Sequence, residues 1–463
     1  MTETPKLLGQ SSRMLPPPGL KALIDHFQSI YPDQVNPLQV TTVLKYWLGG
    51  QDPLDYISMY NNHGDPERGI PPHWHYVSFG LSDLHGDERV HVRDTNDINT
   101  RSGMGFELSF RLIKTESKSV KNAEKSQHPP TWPANLLQAI ARYCFQTGNL
   151  LFFGDNIPWR KSLDGSATSL LKNILIAQDP QLSSIETLFG TVDFCQIVGV
   201  TDEEFDQASR WNGRGVLHYL QQDVHTGGKW LVTDMSRSVS VFQLCPELLL
   251  NLQDDLEKQG SDLAGVNADF TFREIQKQQC FEKEMDSNRL NEQYVFEENK
   301  VLNKLQIKRE NVGFPQSMSM SNSSLHKSCP LNYQPHSANS VSFDGIEITL
   351  APYAAKYLML AIKDRIRHGR HFTFKAQHLA LTLVAETVTG AIVSKSSPYG
   401  IIGYWIQVLI PKELVPRMME AFQNLQLDMV AESKEKYELY WPEWKLKLTI
   451  DYPALILKPP TSV

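Results

Sequence analysis

A chain of 463 residues exceeds what one hydrophobic core usually organises, so two domains are expected rather than one. With 41% hydrophobic, 10% aromatic and 21% charged residues, the composition excludes a disordered or fibrous chain. The net charge of -7 repels a phosphate backbone and argues against direct nucleic-acid binding.

Residues 1–18 are polar and end in Pro16-Pro17-Pro18, a stiff extended lead-in that reads as a disordered tail. No apolar h-region follows the single early lysine, and no run of about 18 apolar residues occurs anywhere, so neither secretion nor a membrane span is expected. Five scattered cysteines, Cys144, Cys195, Cys245, Cys280 and Cys329, odd in number and never spaced as CxxC, fit free thiols in a reducing compartment, cytoplasm or nucleus. From Gly19, the residues Leu23, Ile24, Phe27 and Ile30 share a helical face that ends at Tyr31-Pro32-Asp33. The stretch Val40 to Leu48 is β-branched and apolar and leaves helix and strand both open before Gly49-Gly50.

Two segments alternate as half-buried strands: Val77, Phe79 and Leu81, and then Phe106, Leu108, Phe110 and Leu112 against Glu107, Ser109 and Arg111. Lys114 to Gln127 reads as a loop. After Pro129-Pro130, Leu136, Ile140, Tyr143 and Cys144 share a helical face. Apolar segments recur at Leu150 to Phe153, Val192 to Val200 and Trp230 to Thr233, without the regular βαβ alternation of a doubly wound sheet. The fold class is therefore α+β: two domains, each a mixed sheet with packed helices, joined by a short hinge. The expected boundaries are 19–265 and 266–463, with a disordered insert at 283–340, where charged residues give way to Ser, Asn, Met and Pro. Beyond it, Leu414, Met418, Phe422 and Leu425 predict a helix on a sheet that includes Trp405 to Ile410 and the alternating Trp444, Leu446, Leu448 and Ile450.

The common signatures of phosphate, dinucleotide, zinc-protease and serine-nucleophile chemistry are missing. No cofactor and no metal are expected. His73 and His75, alternate residues on a strand, face one side and, with His85 and His91 downstream, offer imidazoles to zinc, but no cysteine or open-site carboxylate accompanies them. Hydrogen-bonded strand histidines are the simpler reading. Lys363, Arg365, Arg367, His368, Arg370 and His371 form the densest basic patch, read either as a phosphate or acidic-partner contact or as a solvated strand-turn-strand edge around Gly369. Asp155, after Phe152-Phe153-Gly154, either projects from a strand end into a cleft or caps an Asx-type turn. Tyr143 reads as a core residue with its hydroxyl at the rim.

Long runs nevertheless resemble one family. Tyr31-Pro32-Asp33-Gln34-Val35-Asn36-Pro37-Leu38-Gln39-Val40, Lys45-Tyr46-Trp47-Leu48-Gly49-Gly50, His73-Trp74-His75-Tyr76, Ser78-Phe79-Gly80-Leu81-Ser82-Asp83-Leu84 and Trp211-Asn212-Gly213 resemble the N-terminal domain of the Suppressor of Fused family. His368-Gly369-Arg370-His371-Phe372-Thr373 and Trp441-Pro442 are similar to its C-terminal domain. The resemblance implies a non-enzymatic negative regulator of Hedgehog signalling. It implies binding of Gli or Cubitus interruptus-type zinc-finger transcription factors, with retention in the cytoplasm and repression in the nucleus. By the same resemblance a Ser-Tyr-Gly-His type segment of the factor is held as an added strand between the two domains. The channel residues of the family fall on Tyr143 and Asp155 and, in the second half, on Tyr357, where the family carries Leu. Ser321, Ser323 and Ser324 are candidate phosphorylation sites in the insert, with the Fused kinase as the implied partner. A metal-dependent enzyme and a small scaffold or immunity-type protein are the competing readings.

Overall fold

The computed structural model describes residues 16–91, 101–114, 128–275, 320–321, 340–425, 427, 430 and 435–452. Its contacts divide the chain into two compact units, one formed by 1–155, 159–202 and 217–241, the other by 156–158, 203–216 and 242–463. Helices and mixed sheets occur in both, as an α+β fold requires. Among the described residues no helix is long and apolar enough to cross a membrane.

The first unit is built on strands β1 (Leu38–Thr41), β2 (Tyr56–Asn62), β3 (His73–Phe79) and β4 (Arg101–Ile113), followed by β6 (Asn173–Gln178), β7 (Ile185–Thr187) and β8 (Gly190–Val200). A two-residue strand, β5 (Asn156–Ile157), precedes β6 in the chain. The sheet runs in the order β1-β2-β3-β4-β8-β6, with β7 also paired to β8. Only β4 and β8 are parallel; the other pairs are antiparallel.

Helix Pro18–Ile30 starts with proline in its first turn, where the missing N–H costs nothing. Its Leu23 and Phe27 are fully buried against Tyr60, Val77, Phe79 and Phe194. The Phe27 ring meets Phe79 edge-on at 5.5 Å and Phe194 at 5.6 Å. Ile24, expected on the same face, is 39% exposed. On the other side of the sheet lies helix Trp132–Thr147, whose Trp132 ring meets Phe110 at 5.4 Å. The ambiguous stretch after Val40 resolves into the end of β1 and a short 3-10 turn, Tyr46–Leu48, that closes on Gly49 in the left-handed region.

Two helices on opposite faces correct the expectation of half-buried strands. Every residue of β3 is buried, and so are Glu107, Ser109 and Arg111, the polar face of β4. Alternation alone registers polarity, and here the polar side is covered as well.

The second unit holds two sheets. One runs β11 (Met320–Ser321), β9 (Leu263–Asn267), β14 (His371–Lys375), β15 (Ala380–Ala385), β17 (Trp405–Ile410), β16 (Tyr399–Ile402) and β12 (Val341–Phe343). The other runs β10 (Phe270–Glu274), β13 (Ile346–Leu350), β19 (Leu446–Ile450) and β18 (Tyr437–Trp441). Phe372, Phe374, Leu381 and Val408 of the first share a core with Ile348, Leu350, Leu446 and Leu448 of the second. Helix Leu414–Leu425 adds Leu414, Met418 and Phe422 to that core, as its 3.6-residue spacing predicts.

The boundary drawn at 265/266 lies elsewhere in the structure. β9 is a parallel neighbour of β14, pairing Gly265 with Thr373 and Val266 with Phe374, so its backbone hydrogen bonds belong to the second unit. Helix Glu247–Gln259 falls with it. Pro18, counted with the tail, is the first residue of a helix. Most of the expected insert at 283–340 lies outside the described residues. Within it, Met320 and Ser321 pair antiparallel with Gly265 and Leu263.

Candidate functional site

The two strand histidines sit in a buried polar network. His73 Nδ1 lies 2.8 Å from the carbonyl oxygen of Pro71 and donates to it, which leaves Nε2 to accept from Arg111 Nη1 at 2.8 Å. His75 Nε2 is 3.2 Å from Asp179 Oδ2, and its Nδ1 is 2.8 Å from the Tyr31 hydroxyl. Arg111 Nη2 donates to Asp179 Oδ1 at 2.7 Å, and Ser109 donates to Asp179 Oδ2 at 2.7 Å. The amides of Gln181 and Leu182 also donate to Asp179 Oδ1. The guanidinium lies 4.9 Å from the Trp230 ring centroid.

Burial and the facing Arg111 lower the pKa of His73 to about 3 and of His75 to about 4, so both rings are neutral. The carboxyl of Asp179 is held well below the usual carboxylate range by Arg111 and His75, against its burial. Among the described residues no group of three or more His, Cys, Asp or Glu side chains is arranged to hold a metal ion. The hydrogen-bonded reading of His73 and His75 is the one the geometry supports.

A second buried carboxylate explains the Ser78-Phe79-Gly80-Leu81-Ser82 run. Glu107 accepts from Ser78 Oγ at 2.5 Å, Gly80 N at 2.9 Å, Ser82 N at 2.9 Å and Ser82 Oγ at 2.6 Å. The basic patch is not the expected strand-turn-strand edge. Leu360–Arg365 is a π-helix and Ile366–His368 a 3-10 turn, and the strand begins only after Gly369. Arg365 is 1% exposed and donates to the carbonyl oxygens of Ser261 and His371. Glu257 takes Lys363 and Arg367, and Asp262 takes Arg370. Much of this positive charge is neutralised within the protein.

Tyr143 occupies the last turn of helix Trp132–Thr147 and is half-buried, and burial raises the pKa of its phenol above the ordinary 10. Its hydroxyl accepts from Asn149 Nδ2 at 2.6 Å, and its carbonyl accepts from Thr147 Oγ1 at 2.8 Å. Asp155 is 5% exposed and sits in a turn rather than at the end of a strand, because Leu150 to Phe153 is not extended into a ladder. Its amide donates to the carbonyl of Phe152, and its Oδ2 accepts from the Phe152 amide, each at 2.9 Å. Tyr143 and Asp155 both belong to the first unit. Tyr357 belongs to the second, where it packs half-buried against the core with Lys356 Nζ 5.1 Å from its ring centroid. Ser321 lies in β11, while Ser323 and Ser324 lie outside the described residues.

Sequence reasoning missed Asn149, Arg111, Asp179 and Gln181. Asp179 stands 104 residues from His75, and no local spacing signals such a pairing.

The family described as "Suppressor of fused protein (SUFU)" matches residues 50–238, and the one described as "Suppressor of Fused Gli/Ci N terminal binding domain" matches residues 250–450. The Suppressor of fused homologs of Mus musculus and Homo sapiens are each 37% identical over 454 residues, covering 93% of this chain and 91% of each relative. The crystal structure of Drosophila Suppressor of Fused is 68% identical with a TM-score of 0.81, covering 95% of this chain and 98% of that one. A chain in the crystal structure of the Sufu-Fu complex is 73% identical with a TM-score of 0.50, covering 52% of this chain and 100% of its own. With two matching domains and relatives alike along 93% of its length, the chain belongs to the Suppressor of Fused family.

Proposed function

We propose that this chain restrains Gli or Cubitus interruptus-type zinc-finger transcription factors by binding a short extended segment of them, holding them in the cytoplasm and repressing them in the nucleus. Its family membership makes it a Hedgehog-pathway regulator. The observation that carries the finer reading is the match of residues 250–450 to a domain described as binding the Gli/Ci N terminus. The Sufu-Fu complex supports a Fused-type kinase as a second partner, with Ser321, Ser323 and Ser324 as candidate phosphorylation sites.

Tyr143, Asp155 and Tyr357 are the proposed contacts for the segment. The Asp155 carboxylate is shielded from water, so an imidazole brought against it is favoured in its protonated form and makes a charge-assisted bond. Losing one partner of such a pair costs about 2 to 5 kcal/mol of binding, roughly 30-fold to several thousand-fold in affinity. Asp155→Asn retains an oxygen to accept the Phe152 amide, so the turn survives while the charge is lost. Calorimetry with a Ser-Tyr-Gly-His peptide should show the variant at least about 30-fold weaker with little change in melting temperature. Equal affinities would remove Asp155 from the site.

A further inference from the structure

Among the described residues, one sheet of the second unit ends on β11 and β12 and the other on β10 and β18. A strand at a sheet edge shows a row of unpaired backbone groups, and charged side chains, short length or a covering segment keep unwanted strands off it. β10 carries Arg273 and Glu274, β18 carries Glu438 paired with Lys436 and Lys447, and β12 is only three residues long. β9 is different. Its sequence, Leu263-Ala264-Gly265-Val266-Asn267, has no charge, and among the described residues its outer edge is met by Met320 and Ser321 of β11 alone.

The hydrogen bonds show which groups β9 turns outward. The Ala268 amide donates to the carbonyl of Lys375 in β14 at 2.9 Å. Backbone groups of successive residues in a strand point to opposite edges, so Ala264, Val266 and Ala268 turn to β14 while Leu263, Gly265 and Asn267 turn away. The pairing of Met320 with Gly265 and of Ser321 with Leu263 agrees, because it uses two of the outward residues. That cover is incomplete. It is two residues long, its register slips between them, and no described residue pairs with Asn267 on that side.

We infer that β11 is a displaceable internal strand: it covers the edge of β9 until an extended segment of a partner adds there in its place. The inference rests on the proposed function, in which residues 250–450 take such a segment, and it names both the edge and the chain's own competitor for it. Strand addition suits this edge because main-chain bonds supply the affinity and the uncharged strand sets no charge requirement on the guest. A four-residue guest covers most of the five-residue strand and reaches the Asn267 amide that β11 leaves open.

The double variant Met320→Pro with Ser321→Pro removes both amide protons of β11 and leaves β9 unaltered. Calorimetry on the full chain with the Ser-Tyr-Gly-His peptide should find it tighter than the wild type by roughly threefold to tenfold, because the wild type binds only from the fraction with the edge open. Melting temperature reports whether the variant folds. Hydrogen exchange on the wild-type chain gives a second reading that needs no variant. Saturating peptide should slow the Asn267 amide by at least about tenfold and speed exchange within Met320–Ser321. An affinity unchanged or weakened in the folded variant, or exchange at Met320–Ser321 that does not respond to bound peptide, shows that β11 does not compete, and the inference falls. If the peptide binds without protecting any amide of Leu263–Asn267, the edge is wrong, and the inference falls while the binding reading stands. If neither the wild type nor the folded variant binds the peptide, the reading falls and takes the inference with it.

Discussion

Asp179→Asn is the sharpest probe of what holds the first unit together. The wild-type carboxylate accepts from Arg111, Ser109 and two backbone amides and meets His75, and both charged side chains are fully buried. Asparagine preserves the volume but leaves the guanidinium of Arg111 without its counter-charge, and places an amide NH₂ where only acceptors fit. Breaking a buried pair from one side costs about 3 to 5 kcal/mol, because the remaining charge stays desolvated. Gln181 Oε1, 3.2 Å from both Nη1 and Nη2, softens that loss without neutralising the charge. For amides of β3 and β4 that exchange only on global opening, the same energy corresponds to about 150-fold to 5,000-fold faster hydrogen exchange. Exchange measured at Tyr76, Val77 and Phe110 reads this directly. Rates within about threefold of the wild type would show that the ion pair contributes nothing net, and the account of the network would be wrong.

Acid should weaken the same network. His73 and His75 have folded pKa values of about 3 and about 4, below the ordinary 6.5, so the unfolded chain binds protons that the folded one refuses. Their contribution is therefore fully present above pH 6.5 and is lost as pH falls toward 4, at up to about 1.4 kcal/mol per pH unit for each ring. Urea unfolding at pH 7, 6 and 5 should show this slope, and His75→Gln should roughly halve it; a flat profile would refute the neutral-ring assignment. Glu107→Gln puts an NH₂ group, facing donors, in place of one of the two oxygens that together accept from Ser78, Gly80 and Ser82, and should cost at least about 2 kcal/mol by urea titration.

Legibility in the sequence followed the range of the interaction. Helix Leu414–Leu425 was readable because one turn of the helix brings Leu414, Met418 and Phe422 onto the same stripe, and burial then follows the period. The helix that carries Tyr143 was readable for the same reason. β9 was not assignable to the second unit, because its parallel partner β14 lies far along the chain and nothing in Leu263–Asn267 names that partner. The full burial of β3 and β4 was hidden likewise: His75, Ser109 and Arg111 look like a solvent face until Asp179 and helix Pro18–Ile30 are brought over them. Buried polar residues on an alternating strand mark a distant counterpart, and the strand itself cannot say which.

Asp155 shows how far such reading goes at a site. Its residue type and position allow a turn cap and a ligand-facing carboxylate, and the structure contains the turn: one oxygen accepts from Phe152 while the backbone closes in the opposite direction. That bond, however, requires an acceptor and not a charge, so asparagine would satisfy it as well. A buried carboxylate is costly to keep ionised compared with a neutral amide of the same shape. A protonated imidazole on the proposed bound segment would tell the two apart, because it responds to the charge and not to the shape. The turn accounts for the shape of the side chain, and the peptide affinity of Asp155→Asn decides whether its charge serves the proposed binding.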